Sequence, residues 1–211
     1  ARNVAKTAAQ KGIPSIVDFF GVALAKEMDQ DGIKADLLVA NNVLAQVPDI
    51  NDFVKGMKIV LKPRGIIVME FPYLLRLIDG NQFDTIYHEH FSYFWLTAVE
   101  KICATHDLTL FDVEEMTTHG GSIRIYGRHV ENPEQKVTAR YRELKEREVA
   151  AGYDQMKTYA DFADRVANIK RKLLQILIDL KQNGKTIVGY GAPGKGNSLL
   201  NYCGIRSDFL D

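Results

Sequence analysis

The sequence predicts an α/β fold, a mostly parallel sheet that ends in an antiparallel pair. Three observations predict it. Apolar runs of strand length, Ala35–Ala40 and Ile66–Phe71, alternate with amphipathic stretches of helical period, the pattern of βαβ units. Two later apolar runs, Leu108–Glu114 and Ser122–Tyr126, are separated only by Glu115–Gly121. That loop is too short for a right-handed crossover, so the two runs should pair antiparallel. Finally, 46% of the 211 residues are hydrophobic, enough for a core and too many for a mostly disordered chain.

The elements follow in order. Asn3–Lys11 reads as a short helix closed by Gly12. Ser15–Phe20 reads as a short buried strand, Val22–Gln30 as a helix and Ala35–Ala40 as a second strand. Residues 49–61 place Ile50, Phe53, Val54, Met57 and Leu61 on one helical face, with Asp49 near the start. Pro63-Arg64-Gly65 marks a turn before the strand Ile66–Phe71, and Leu96–His106 is a further helix. Residues 134–183 are rich in Lys, Arg and Glu, with Phe162, Val166, Ile169, Leu173, Ile176, Leu177 and Leu180 at spacings of one to four. This predicts one or two long helices. Lys185–Gly191 reads as a strand running into a Gly-rich turn. The expected organisation is a sheet domain over 1–130, linker helices over 131–183 and the start of a second, Rossmann-like domain over 184–211. Helices are expected on both faces of the sheet, and the chain is expected to be a fragment of a longer one.

Composition narrows the function classes. Lys+Arg and Asp+Glu number 27 each, so no excess positive field draws nucleic acid or anionic lipid. The two cysteines, Cys103 and Cys203, form no CxxC pair, which excludes a disulfide scaffold and a cysteine-built metal site and fits a reducing compartment. No run approaches the roughly 18 apolar residues of a membrane span. The expectation is a soluble cytoplasmic protein with no nucleic-acid or membrane partner.

The densest polar cluster is Thr85-Ile86-Tyr87-His88-Glu89-His90-Phe91-Ser92-Tyr93-Phe94. It follows the strand Ile66–Phe71, where open α/β sheets place their ligands. Imidazoles, a carboxylate and phenols close together supply proton donors and acceptors near neutral pH. The bland alternative is a loop whose His and Tyr satisfy buried backbone groups. In an extended HxH segment, His88 and His90 share a face and can also bind a metal, but no further ligand stands out. Asn41-Asn42 ends the strand Ala35–Ala40 and suits either ligand binding or an Asx turn. His119-Gly120-Gly121-Ser122 lies in the closing hairpin, with His119 either structural or ligand-facing. Gly189-Tyr190-Gly191-Ala192-Pro193-Gly194 matches GxGxxG before a helical segment, although Pro193 removes one donor. Lys195 beside it can meet a phosphate.

The strings ANNVLAQVPD, YHEHFSYF, HGGSIRIY and GYGAPGKGNSLLNYCGI occur in this order. They resemble the S-adenosylmethionine-dependent sugar C-methyltransferases, which act on nucleotide-linked 4-keto-deoxysugars, and the closing hairpin resembles the class I methyltransferase fold. The resemblance implies S-adenosyl-L-methionine as cofactor, a nucleotide-sugar as small-molecule partner, and zinc only in an N-terminal module upstream of this sequence. It makes 1–130 part of the methyltransferase domain, without its first Gly-rich loop. It implies methylation of carbon 3 through an enolate, with His90 as base, Tyr87 steadying the enolate and Glu89 positioning a hydroxyl or His90. Phe20, Asn41 and Asn42 are then cofactor contacts, and His88, His119 and Lys195 substrate contacts. Gln46 stands where the family usually has a histidine, so a proton-shuttling role there is lost. A nicotinamide-dependent oxidoreductase built on the Gly189 turn and a non-catalytic binding module of the same fold are the competing readings.

Overall fold

The computed structural model describes residues 2–191 and 193–211. Helix α1 spans Arg2–Gln10 and helix α2 Val22–Gln30; strand β1 spans Ala35–Asn41, helix α3 Ile50–Val60 and strand β2 Leu61–Pro72. Then come α4 (Leu74–Asp79), α5 (Leu96–Ala104), β3 (Leu108–Met116), β4 (Ser122–His129), α6 (Ala139–Ala150), α7 (Met156–Gln182) and α8 (Gly194–Cys203). Asp49 caps α3 as its position suggests, its carboxylate accepting the Asp52 N–H at 2.9 Å.

The strands lie in the order β1-β2-β4-β3. β1 and β2 are parallel, and β4 is antiparallel to both β2 and β3. Three strands therefore run one way and β4 runs against them. The antiparallel pair is the one expected from the short loop, but the reversed strand lies inside the sheet, between β2 and β3. It can do so because alternate residues Ile123 and Ile125 pack on the core face while Arg124 and Tyr126 point away from it.

The core sits on that face. Leu38, Ala40, Ile67, Met69, Phe71, Val113, Ile123 and Ile125 meet Phe53, Val54 and Met57 of α3, Leu96 and Val99 of α5, and Tyr141 and Leu144 of α6. Each such aliphatic or aromatic side chain contributes about 1.5–3 kcal/mol when fully buried. The expectation of helices on both faces is not met among the described residues. On the opposite face Leu37 and Val39 are more than half exposed, and Glu70, Arg124, Glu114 and Tyr126 form a polar network instead.

Three other expectations change. Ser15–Phe20 is not a strand: Ile16 and Val17 are half exposed and Phe19 is 95% exposed. An apolar run becomes a strand only beside a partner, and none flanks β1 there among the described residues. Lys185–Gly191 is likewise irregular, with Val188 and Tyr190 exposed, and Ala192 of the Gly-rich turn lies outside the described residues. Pro63–Gly65 does not break the chain before a strand. β2 starts at Leu61, and its pairing jumps from Ala35–Leu61 to Leu37–Ile66, so 62–65 form a bulge within it.

The linker region is two helices. α7, 27 residues and so about 40 Å long, packs Tyr159 and Phe162 near Leu77, Ile78 and Tyr153. At its far end Leu177 forms a small cluster with Cys203 and Ile205. Both cysteines are buried, and burial pushes the Cys103 thiol up to about 12, which makes it unreactive at neutral pH. No described helix is long and apolar enough to cross a membrane.

Candidate active site

The parallel strands β1 and β2 end at one edge, with Asn41 opposite Glu70. Beyond β1 the chain turns at Asn42, whose φ is +54° and whose N–H donates to the Glu70 carbonyl at 2.7 Å. A 3₁₀ turn over Leu44–Gln46 then buries Leu44 and Ala45 and leaves Gln46 facing outward. The Ala45 carbonyl accepts the N–H groups of Phe91 at 2.8 Å and Ser92 at 3.3 Å, so this turn holds the polar segment that follows β2. From the β3–β4 hairpin, the Gly120 carbonyl accepts from Gln82 Nε2 at 2.8 Å and the Gly121 carbonyl from the Tyr73 N–H at 3.0 Å. Both glycines have positive φ (+85° and +124°), and a Cβ on Gly121 would sit 2.7 Å from Arg76 Cβ.

These turns enclose a small cleft of about 110 Å³. Six residues singled out in the sequence line it together: Asn42, Gln46, Tyr87, His90, His119 and Lys195. They come from four stretches of chain, and Lys195 arrives from the first turn of α8. Thr85, the first residue of the polar cluster, also lines it, as do Tyr73 and Gln82; no local pattern in the sequence marks the last two, because they face the cleft only through the path of the chain after β2.

The polar segment is not extended. The His90 N–H donates to the Tyr87 carbonyl at 3.0 Å, closing a turn with exposed His88 and Glu89 at its tip. Tyr87 and His90 thereby meet ring to ring, 4.7 Å apart and tilted by 31°, and Tyr93 meets the edge of His90 at 5.7 Å. Burial raises the Tyr93 phenol above its ordinary value, and its hydroxyl donates to the Thr85 carbonyl at 3.4 Å. His90 Nδ1 is buried and has no hydrogen-bond partner among the described residues. Buried polar atoms are nearly always paired, so this orphan nitrogen on a cleft-lining residue stands out.

Other candidates lie elsewhere. Glu89 and His88 are outside the cleft, and the turn separates His88 from His90, so the shared face of an extended HxH is not formed. Among the described residues no group of three or more His, Cys, Asp or Glu can hold a metal. Phe20 packs edge-on against Phe53 at 5.5 Å, and Asn41 is exposed at the end of β1. In the Gly189 turn, Gly189 and Gly194 face open space and Tyr190 is fully exposed. The close backbone approach that a dinucleotide loop requires is not built there.

The molecule is an α/β protein with a mixed sheet, and its polar cleft lies at the carboxyl ends of the parallel strands, where open α/β sheets place their ligands. Residues 117–211 match the family described as the C-methyltransferase C-terminal domain. Over 205 residues the chain is 35% identical to C-methyltransferase NovU of Streptomyces niveus, covering 97% of this chain and 49% of that protein. The chain is thus related over nearly its whole length to a C-methyltransferase, and it spans about half the length of that curated relative. Among solved structures, the PH0226 protein of Pyrococcus horikoshii OT3 is similar at a TM-score of 0.41 and 18% identity, over 61% of this chain and 65% of that one. An S-adenosylmethionine-dependent methyltransferase of Clostridium acetobutylicum is similar at a TM-score of 0.41 and 9% identity, over 61% and 70%. Both likenesses are distant, and the fold assignment rests on the sheet itself.

Proposed function

We propose that this chain is the catalytic part of an S-adenosylmethionine-dependent C-methyltransferase. Its substrate is a nucleotide-linked 4-keto-deoxysugar, methylated at carbon 3 through an enolate. The observation that carries this reading is the Tyr87–His90 turn, which brings a phenol and an imidazole together at the cleft, their rings 4.7 Å apart and tilted by 31°, with His90 Nδ1 unpartnered. The relationship to a C-methyltransferase supports the reaction class.

The residues present fit part of the cofactor. Asn42 brings a carboxamide into the cleft at the end of β1, able to accept from an amine and donate to a carboxylate; Phe20 and Asn41 lie outside it. When bound, S-adenosylmethionine supplies an electrophilic methyl group. The chain's own groups act on the sugar. An imidazole nitrogen without a protein partner is free to take the proton from the carbon beside a ketone. The Tyr87 hydroxyl donates to the ketone oxygen as it gains negative charge. Lys195, a cation at the first turn of a helix, holds the phosphates. Gln46 offers hydrogen bonds and no proton.

Incubating the chain with a nucleotide-linked 4-keto-deoxysugar in deuterated water tests the base separately from methyl transfer. The expected result is exchange of the carbon-3 proton, with S-adenosylmethionine bound weakly or not at all by this chain alone. Binding of the sugar without exchange would overturn the reading.

A further inference from the structure

Two cleft residues on different turns, Asn42 and His119, each hold a left-handed backbone with φ +54°. Asn and His enter that region more readily than most residues with side chains, and hydrogen bonds to the neighbouring chain select it. One residue reaches both turns. Glu70, near the end of β2 and 6% exposed, lies opposite Asn41 on one neighbouring strand and Arg124 on the other. Its carbonyl accepts the Asn42 N–H at 2.7 Å. Its Oε1 accepts the hydroxyl of Thr118, the residue before His119, at 3.1 Å, and its Oε2 accepts from Arg124 Nη2 at 2.9 Å. Arg124 also approaches Glu114 at 3.5 Å, so one guanidinium lies between the carboxylates of β2 and β3. Gln82 and Tyr73 fix the two glycines of the hairpin turn, whereas Glu70 fixes the residue that leads into His119.

We propose that Glu70 is a positioning residue: through its carboxylate and Thr118 it sets the left-handed turn at His119, beside the turn at Asn42 that its backbone carbonyl holds, and so sets how tightly the cleft holds its ligand rather than the rate of the chemical step. The kinetic part of this inference rests on the cleft being the methyl-transfer site; the conformational part does not. Glu70 is a lone acid within an apolar strand, a signal present in the sequence and easily passed over.

The test uses the 211-residue chain with Thr118→Val, which removes one hydroxyl from an exposed residue, Thr118→Ser, which keeps it, and Glu70→Gln, which keeps size and an acceptor but not charge. By nuclear magnetic resonance, Thr118→Val and Glu70→Gln should shift the His119 amide and change its HN–Hα coupling, and Thr118→Ser should match the parent. In carbon-3 proton-exchange assays the first two should raise the sugar KM about five- to tenfold, the loss of about one hydrogen bond, with kcat within about twofold. His119 signals unchanged in Thr118→Val, or a fall in kcat at constant KM, would overturn the proposal. If the parent binds the sugar and shows no carbon-3 exchange, the function reading fails while the His119 signals still decide the role of Glu70. If Glu70→Gln does not fold, the Thr118 pair decides alone.

Discussion

His90 and Glu89 are adjacent in sequence and differ in what they touch. His90 faces the cleft with an unpaired buried nitrogen, and Glu89 stands at an exposed turn tip. His90→Ala should therefore lower kcat by about 10²–10⁴-fold, the usual contribution of a general base, with a small change in sugar affinity. Glu89→Gln should change kcat by less than about threefold, since a group outside the cleft contributes little transition-state binding. Steady-state kinetics with carbon-3 exchange separates the two, and a Glu89→Gln loss as large as that of His90→Ala would reverse the assignment. The clustering of His and Tyr was legible in the sequence, because so many protonatable groups after a strand are unusual. The side to which each points was not, because the Tyr87–His90 hydrogen bond decides it. Glu148 was not legible at all. It is fully buried in α6, and its carboxylate accepts from the Tyr73 hydroxyl, the backbone N–H groups of Leu96 and Thr97, and the Thr97 hydroxyl. Its partners lie more than fifty residues away in sequence, so no local pattern announces it. Glu148→Ala leaves these buried donors unpaired and should cost about 3 kcal/mol or more. Tyr73→Phe, which removes one of them, should cost about 1 kcal/mol. Denaturant titration measures both.

At the scale of elements, close approach and edge charge decide stability. α2 crosses α3 at Gly56, where an added Cβ would lie 2.9 Å from the Gly21 backbone and 3.2 Å from the Phe20 ring. Gly56→Ala has the better helix propensity yet should destabilise by about 1–3 kcal/mol, because backbone cannot move aside as a side chain can. On β3, burial alone would raise the Asp112 carboxyl, but hydrogen bonds from Arg140 and Thr138 outweigh it and hold the group below the ordinary value. A carboxylate depressed on folding contributes stability that is present above its unfolded value, about 3.9, and is lost as pH falls through the folded value. Unfolding midpoints should fall below about pH 4, and Asp112→Asn should flatten that fall. Helical period identified α3 and α5, which each bury one face, and also α7, which buries only Val166 and Leu177 and leaves Ile176 and Leu180 exposed. Ser15–Phe20 and Lys185–Gly191 read as strands for their apolar residues alone, and neither has a partner strand beside it in the described sheet.

Across the whole molecule, the cleft depends on a helix from the far end of the chain. α8 rests Tyr202 on Phe83, rings 5.0 Å apart, with Lys170 Nζ donating to the Tyr202 carbonyl at 2.7 Å. This docking brings Lys195 to a cleft otherwise made by residues before 122. Lys195→Ala should weaken binding of a nucleoside diphosphate sugar about tenfold at low salt and less at high salt, because exposed charge pairs are screened. Tyr202→Ala should weaken it similarly by releasing α8, with the sheet's unfolding midpoint unchanged. Equal affinity in the parent and both variants would show that α8 takes no part in binding.

The reversed strand has a consequence for the order in which this molecule is made. β4 is the last strand of the described sheet to be synthesised, yet it occupies an inner place, and β2 must wait for it across roughly fifty residues of α4, α5 and β3. Until residue 129 has emerged, β2 has one unpaired side, and the hairpin turn bearing His119 has nowhere to dock. Pairing across such a span closes slowly, because loop entropy is lost before contacts repay it. The sheet's interior and the cleft wall are therefore completed in one late step, and a nascent chain halted before β4 would expose Ile67, Met69 and Phe71 along a bare strand edge, a form prone to aggregate.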